Sequence, residues 1–173
     1  MKPVNLHEGI DSTLNILNYR LKAKPDSPGI EVVKNYSQLP LVECYAGRIN
    51  QVFMNILVNA IDALEEYNQQ RSWEEISAPP SRIEISTRIV GDDWVAIHIA
   101  DNGPGISETV QAQLFKTFFT TKPIGKGTGL GLSISHQIIV QQHGGRLYCQ
   151  SLLGTGTEFI IKLPIKSVNS EQI

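Results

Sequence analysis

The sequence predicts a two-layer α/β sandwich of the α+β type, with helices on one face of a mixed, mostly antiparallel sheet. Three long amphipathic helical patterns are interspersed with about six short strand patterns. Most of the strands are joined as hairpins rather than through crossover helices. With 173 residues and 41% apolar side chains, the chain can bury one core, so we expect a single domain spanning 1–173.

The first half of the chain carries two helical patterns and two strand patterns. Apolar residues recur at helical spacing over 7–22 and again over about 47–66, so each segment is expected to bury one face. Between them, 30–36 and 41–45 are short apolar-rich runs bounded by turn residues, and they predict strands. The polar loop 68–81 carries no pattern to which chemistry can be assigned.

The second half of the chain carries two hairpins, a third helix and a long irregular stretch. The stretch 103–128 has no sustained period. Irregular segments of this length in compact domains are usually functional, so we expect this one to form a lid. The expected elements are strands at 82–90 and 94–100, a short helix near 107–114, a helix over about 129–143, and strands at 146–151 and 157–164.

Composition and charge argue against several classes of function. A formal net charge of −2 offers no basic surface for nucleic acid. No apolar run reaches the ~18 residues of a membrane span. Cys44 and Cys149 lie far apart without metal-ligand spacing, so we expect buried free thiols in a reducing compartment. These features favour a cytoplasmic domain without direct contact to nucleic acid or membrane.

Two glycine-rich segments supply the strongest functional signal. Asp101 ends an apolar strand and opens into the glycine turn 102–106, and the later glycine cluster 125–131 runs into the third helix. An adenine nucleotide needs an acceptor for its exocyclic amine and bare backbone N–H groups at a helix N-terminus for its phosphates. The glycine spacing fits neither the P-loop nor the G-x-G-x-x-G dinucleotide fingerprint.

A narrow polar stripe runs along the second helix. Gln51, Asn55, Asn59 and Asp62 fall on one line of that helix, while the opposite face is apolar. The solvated face of an ordinary amphipathic helix is the alternative interpretation. Solvated faces favour Lys, Glu and Arg, however, and asparagine is a mediocre helix former, so two asparagines in mid-helix indicate a functional stripe. Amide oxygens are suitable ligands for Mg²⁺.

The order of these motifs resembles the catalytic, ATP-binding domain of sensor histidine kinases. That domain belongs to a wider group with DNA gyrase, the mismatch-repair ATPases and the heat-shock chaperone ATPases. Any one motif would be weak evidence, but the ordered set over about 50–163 is specific. The blocks are 55–60, which resembles the N box; 101–105, the first glycine box; 114–122, the phenylalanine box; 127–132, the second glycine box; and 154–157, the closing glycine motif.

The resemblance implies a Bergerat-type fold that binds ATP and Mg²⁺ between the helices and the sheet. In such a domain Asp101 accepts the adenine amino hydrogen, with help from Thr157. Asn59 holds Mg²⁺, and Lys122 reaches the γ-phosphate. The nucleotide-contacting residues that the resemblance implies are Asn55, Asn59, Asp62, Asp101, Gly103, Gly105, Ile106, Phe119, Thr120, Thr121, Lys122, Gly127, Thr128, Gly129, Leu130, Gly131, Leu132 and Thr157.

The resemblance also assigns roles to backbone and amide groups. Gly103 and Gly105 let the backbone close on the base, and the backbone amides of 129–132 bind phosphate. The catalytic residues are Asn55, Asn59 and Lys122. At the position of Asn55 the gyrase-like members carry a glutamate that acts as general base on water. A neutral amide cannot take a proton, so the γ-phosphoryl group is expected to be kept for transfer to a side chain.

The implied activity is that of a protein histidine kinase whose phosphoacceptor lies elsewhere. None of the four histidines stands in the phosphoacceptor sequence context of the family, so 1–173 is expected to lack the dimerisation domain and to be inactive alone. The implied partners are ATP or ADP, a histidine-bearing dimerisation domain and, through it, a response regulator. An anti-sigma-type serine kinase and a nucleotide-binding module without transfer activity are the alternatives.

Overall fold

The computed structural model describes residues 1–72, 74–75, 79–121 and 130–167. A π-helical segment, Gln137–Gln142, continues directly from the last α-helix. The elements are β1 (Lys2–Val4), α1 (Leu6–Leu21), β2 (Glu31–Tyr36), β3 (Val42–Cys44), α2 (Ala46–Gln69), β4 (Arg82–Val90), β5 (Trp94–Asp101), α3 (Glu108–Gln111), α4 (Gly131–His136), β6 (Arg146–Leu152) and β7 (Gly156–Pro164).

A five-stranded sheet in the order β2-β4-β5-β7-β6 forms one layer of the fold. β2 runs parallel to β4, and the other neighbouring strands are antiparallel. The helices packed on this mixed sheet confirm the predicted sandwich. A separate two-stranded sheet joins β1 to β3. The sequence pattern does not predict β1, because three residues are too few for alternation to be recognised.

α1 and α2 form the helical layer. Asn5 caps α1, since its side chain accepts the His7 backbone N–H at 3.0 Å. The polar positions of α2 lie outside the core that the two helices share with the sheet. That core includes Leu6, Ile10, Leu14, Leu17 and Leu21 of α1; Ile49, Val52, Phe53, Ile56, Leu57, Ala60, Ile61 and Leu64 of α2; and Ile83, Ile85, Val95, Ile97, Ile99, Ile161 and Leu163 of the sheet.

The third helix is not the continuous α-helix that the pattern predicts, because it becomes π-helical over Gln137–Gln142. Buried His143 accepts the Tyr45 backbone N–H at Nε2, 3.1 Å away, so its Nδ1 carries the proton and donates to the Ile138 carbonyl at 2.7 Å. A side chain that inserts into the backbone hydrogen-bond ladder accounts for the wider turn. Position 129, where the helix is predicted to begin, lies outside the described residues.

The sequence predicts free thiols at both cysteines and no membrane-spanning run, and the structure bears on both predictions. Cys44 and Cys149 are free thiols, Cys44 buried and Cys149 half-buried. Burial raises the pKa of Cys44 to about 11, and burial together with the nearby charge of Asp101 raises the pKa of Cys149 to about 12. Both thiols therefore stay protonated at neutral pH. Within the described ranges, none of the helices combines the length and the apolarity needed to cross a bilayer.

Candidate functional site

Asp101 lies at the end of β5, in register with Thr157 of β7. Its Oδ1 accepts the Gly103 backbone N–H at 2.9 Å, and the Thr157 backbone N–H also bonds to the carboxylate. The side chain keeps some exposed surface, yet burial desolvates the carboxylate and raises its pKa to about 6, an effect that the two N–H groups only partly offset. At neutral pH, Asp101 is therefore a largely ionised and poorly solvated hydrogen-bond acceptor.

The first glycine box packs against the protein itself. Gly105 has a φ of 74°, and a Cβ there would collide with the backbone carbonyl of Leu152. A Cβ at Gly103 would lie 2.9 Å from Asp101 Oδ1. The neighbouring strand therefore requires glycine at position 105, while at position 103 a Cβ would crowd the Asp101 carboxylate. These contacts give both glycines a structural reason, and their expected role in letting the backbone close on a base stays a prediction.

Sequence reasoning missed a polar junction beside this carboxylate. Ser151 of β6 is the register partner of Thr157, and their hydroxyl oxygens lie 2.9 Å apart. The Ser151 Oγ also accepts the Ile106 N–H at 2.8 Å and donates to the Gly156 carbonyl at 2.9 Å. Gln111 of α3 donates from Nε2 to the Ile106 and Ser151 carbonyls, at 3.0 and 3.1 Å. Because these contacts join separate segments, neither periodicity nor a motif marks them.

Asn55 connects the polar stripe of α2 to the start of α4. Its Nδ2 donates to the Gly131 carbonyl at 3.0 Å and to Ser135 Oγ at 3.1 Å. Ser135 is buried, and its hydroxyl donates to the same Gly131 carbonyl at 2.7 Å. Both hydrogens of the Asn55 amide are thus used, and its Oδ1 is the atom left to accept a hydrogen bond or to bind a metal.

The other members of the stripe differ in their surroundings. Gln51 is exposed and lines a separate cleft of about 1060 Å³ at the N-terminal end of α2. Asn59 is half-buried. Asp62 Oδ1 accepts a hydrogen bond from Arg20 of α1 at 2.6 Å, and Arg20 also bonds to Glu65 at 2.8 Å. This ion pair gives Asp62 a structural contact that sequence reasoning missed, and its place among the nucleotide ligands stays a prediction.

The phosphate end of the predicted site is only partly described. Leu130, Gly131 and Leu132 stand at the start of α4, beside Asn55. Phe119 is half-buried, whereas Thr120 and Thr121 are exposed. Lys122, Gly127, Thr128 and Gly129 lie outside the described residues, and so does the part of the predicted lid from 122 onward.

The polar stripe of α2 offers amide oxygens rather than a cluster of acidic, thiol or imidazole groups as possible metal ligands. In the part of the chain that the structure describes, no group of three His, Cys, Asp or Glu residues is placed to hold a metal ion. Mg²⁺ is nevertheless compatible with the stripe, since it binds through few protein oxygens and keeps waters and phosphate oxygens as its other ligands. The Asn55 and Asn59 amides are the candidates, and Asn59 as the metal ligand stays a prediction.

Residues 45–167 match the family model of the histidine kinase-, DNA gyrase B- and HSP90-like ATPases. The match covers most of the chain and contains Asn55, Asn59, Asp101, Gly131 and Thr157. The chain belongs to this ATPase family. Among its curated relatives, the sensor kinase CckA of Brucella abortus is 40% identical over 124 residues, which cover 71% of this chain and 13% of CckA.

Solved structures of histidine kinases share the fold of this ATPase domain. The catalytic domain of the histidine kinase ThkA aligns with a TM-score of 0.75 and 28% identity, covering 96% of this chain and 99% of that domain. ThkA in complex with the response regulator TrrA aligns with a TM-score of 0.70 and 25% identity, covering 95% of this chain and 41% of that one. The chain spans 13% to 19% of the length of three curated relatives that it matches.

Proposed function

We propose that this domain binds Mg·ATP and donates the γ-phosphoryl group to a histidine on a separate dimerisation domain, in two-component signal transduction. The observation that carries this proposal is the Asp101 carboxylate, held as a desolvated acceptor by the Gly103 and Thr157 N–H groups. An ionised carboxylate is expensive to bury unless a partner recovers the energy. The exocyclic amine of adenine is such a partner, because it donates hydrogen bonds to a carboxylate.

The amide groups of α2 and the start of α4 form the phosphate end in this proposal. Asn59 binds Mg²⁺, and Asn55 holds the first turn of α4 through its bonds to Gly131 and Ser135. Backbone N–H groups in that turn would donate hydrogen bonds to phosphate oxygens. Lys122, which lies outside the described residues, is proposed to reach the γ-phosphate.

We place the acceptor histidine on another domain because, among the described residues, position 55 offers no base for water and the histidines are held in other contacts. Asn55 is neutral and donates both of its amide hydrogens, so it cannot take a proton from water. His7 stacks on Tyr36 and bonds to a threonine hydroxyl, and His143 is buried. His98 bonds to Glu158 from within the sheet. His136 packs its ring against that of Phe115, with the ring centroids 5.2 Å apart, and we propose that all four histidines are structural.

The partners follow from the same proposal. A phosphohistidine on the dimerisation domain passes its phosphoryl group to a response regulator, and ThkA has been solved with such a regulator. We further propose a cytoplasmic setting, in which this domain is the cytoplasmic part of a larger sensor. It would then make no direct contact with nucleic acid or with the membrane, in keeping with the net charge of −2.

A trans-phosphorylation assay tests the proposal. The chain is incubated with labelled Mg·ATP, with and without the dimerisation domain of its own kinase. We expect acid-labile phosphohistidine on that partner, and no more than a trace of hydrolysis when the chain is alone. Rapid hydrolysis by the unmodified chain, or acid-stable phosphoserine on the partner, would instead favour an ATPase or a serine kinase.

A further inference from the structure

We propose that Ser151 is a positioning residue that makes the adenine end of the site selective for an amine over a carbonyl, by fixing the direction of the Thr157 hydroxyl. The inference rests on the proposed function, because it assumes that a purine nucleotide binds at Asp101. It adds a residue on β6 that the sequence motifs do not include.

The hydrogen bonds of Ser151 determine where its one hydroxyl hydrogen must lie. A serine hydroxyl has one hydrogen to donate and two lone pairs to accept. The Gly156 carbonyl, 2.9 Å away, can only accept, so the Ser151 hydrogen points there. The Ile106 backbone N–H, 2.8 Å away, can only donate and occupies one lone pair. The second lone pair is left for Thr157 Oγ1 at 2.9 Å, so Thr157 is the donor in that bond.

This assignment decides what Thr157 can offer to a ligand. Its hydroxyl hydrogen points at Ser151, and its oxygen therefore has only lone pairs to present elsewhere. Asp101, Thr157 and Ser151 are successive register partners across β5, β7 and β6, so they stand side by side in one row of the sheet. The carboxylate of Asp101 is the other acceptor in that row.

Two acceptors side by side match adenine and oppose a 6-oxo purine. The exocyclic amine of adenine has two hydrogens, whereas hypoxanthine and guanine carry a carbonyl oxygen at the same position. A carbonyl placed there would face acceptors only, and it would leave buried polar groups unpaired. If the Thr157 hydroxyl were free to rotate, it could donate to that carbonyl and the discrimination would fall.

Gln111 keeps the junction in place. Its Nε2 donates to the carbonyls of both Ile106 and Ser151, so α3 and β6 are held together on either side of the Ser151 hydroxyl. Both hydrogens of that amide are used, which leaves Gln111 no freedom to serve another acceptor. The segment that follows the first glycine box is thereby fixed to the strand that orients Thr157.

Calorimetric titration with ADP and with inosine diphosphate, both with Mg²⁺, tests this role. We expect Ser151→Ala to lower the ratio of the two dissociation constants, IDP over ADP, on the order of tenfold, with a smaller change for ADP itself. Ser37→Ala, at an exposed serine, is the matched control and should keep the ratio of the unmodified chain. If Ser151 acts through the Thr157 hydroxyl, Ser151→Ala should change the ratio less than twofold in a Thr157→Val background.

The outcomes separate this role from a general structural one. Equal weakening of ADP and IDP by Ser151→Ala, or the same change of ratio in the Thr157→Val background, would overturn the inference. Should Ser151→Ala fail to fold, Thr157→Ser and Thr157→Val decide: we expect the serine to keep the ratio and the valine to lower it, and equal ratios would overturn the role. An unmodified chain that binds neither nucleotide would instead overturn the proposed function itself.

Discussion

The two ends of the candidate site are built in different ways. At the adenine end, Asp101, Thr157 and Ser151 stand on adjacent strands, and their places follow from the register of β5, β7 and β6. At the phosphate end, Asn55 reaches Gly131 through a side-chain hydrogen bond between two helices. The adenine end is thus preorganised by the sheet, whereas the phosphate end depends on helix packing and, in our proposal, on Mg²⁺.

This difference has an energetic counterpart. The sheet holds the Asp101 carboxylate in a partly buried position before any ligand is present. Burial therefore desolvates its charge and raises its pKa. In our proposal, adenine binding at Asp101 recovers part of that desolvation energy. The neutral amides of the phosphate end carry no such cost, and their contribution appears only when metal and phosphate are present. Stability measurements should therefore report on the adenine end, and Mg²⁺ dependence on the phosphate end.

The largest effect is expected at the phosphate end. Asn59→Ala should lower the rate of phosphoryl transfer to the dimerisation domain on the order of 100-fold or more, because it removes the amide oxygen that, in our proposal, binds Mg²⁺. Transfer is measured with labelled ATP across a range of Mg²⁺ concentrations. Gln69→Ala, which removes an exposed amide from the same helix, should leave the rate unchanged. A wild-type rate in Asn59→Ala at limiting Mg²⁺ would exclude Asn59 as the ligand.

A pH-dependent stability difference is expected at the adenine end. The pKa of Asp101 is about 6 in the folded chain against an ordinary value of 3.8, so the folded state binds the proton more tightly. Stability from this group is complete below about pH 4 and is lost as the pH rises through 6, by at most about 3 kcal/mol. Urea unfolding of the nucleotide-free chain should show that Asp101→Asn gains stability relative to wild type between pH 4.5 and pH 8. A constant difference across that range would contradict the desolvated carboxylate.

Alanine substitutions at two glycines separate the cost of a steric collision from the cost of a positive φ. Gly105→Ala should lower the free energy of unfolding by about 2 kcal/mol or more, since it adds a collision with Leu152 to the strain of a positive φ. Gly91 also has a positive φ, of 61°, but nothing lies within 4 Å of a Cβ there. Gly91→Ala should therefore cost only about 1 kcal/mol. Equal losses by urea unfolding would mean that the turn at Gly105 can move away from β6.

The smallest effect concerns the ion pair at the edge of the helical layer. Arg20 and Asp62 are both partly exposed, so Arg20→Ala should lower the free energy of unfolding by only about 0.5–1 kcal/mol. Arg20→Ala and Asp62→Ala should be less than additive, and a double-mutant cycle measures that coupling. ADP titration of the same variants shows whether Asp62 also contacts nucleotide: in that case Asp62→Ala weakens binding and Arg20→Ala does not.

The sequence could predict the structural features that depend on neighbouring residues, but not those that depend on contacts between residues far apart along the chain. The helix α2 and the hairpin that ends in Asp101 were predictable, because periodicity and turn residues are local signals. The Arg20–Asp62 pair and the Ser151 junction were not, because each joins residues that are distant along the chain. The π-helical turn before His143 was also missed, since the His143 ring bonds both to the Ile138 carbonyl and to the distant Tyr45 N–H, and no local pattern encodes these contacts.

ADP binding by Asp101→Asn, measured by calorimetry at pH 7.5, tests the central claim most directly. Asp92→Asn, at an exposed aspartate in the β4–β5 turn, removes the same charge away from the site and serves as the control. We predict that Asp101→Asn binds ADP about ten- to a hundredfold more weakly while Asp92→Asn binds as the wild type does, because a charge-assisted bond in a desolvated site is lost. An unchanged dissociation constant in a folded Asp101→Asn variant would contradict adenine recognition by this carboxylate.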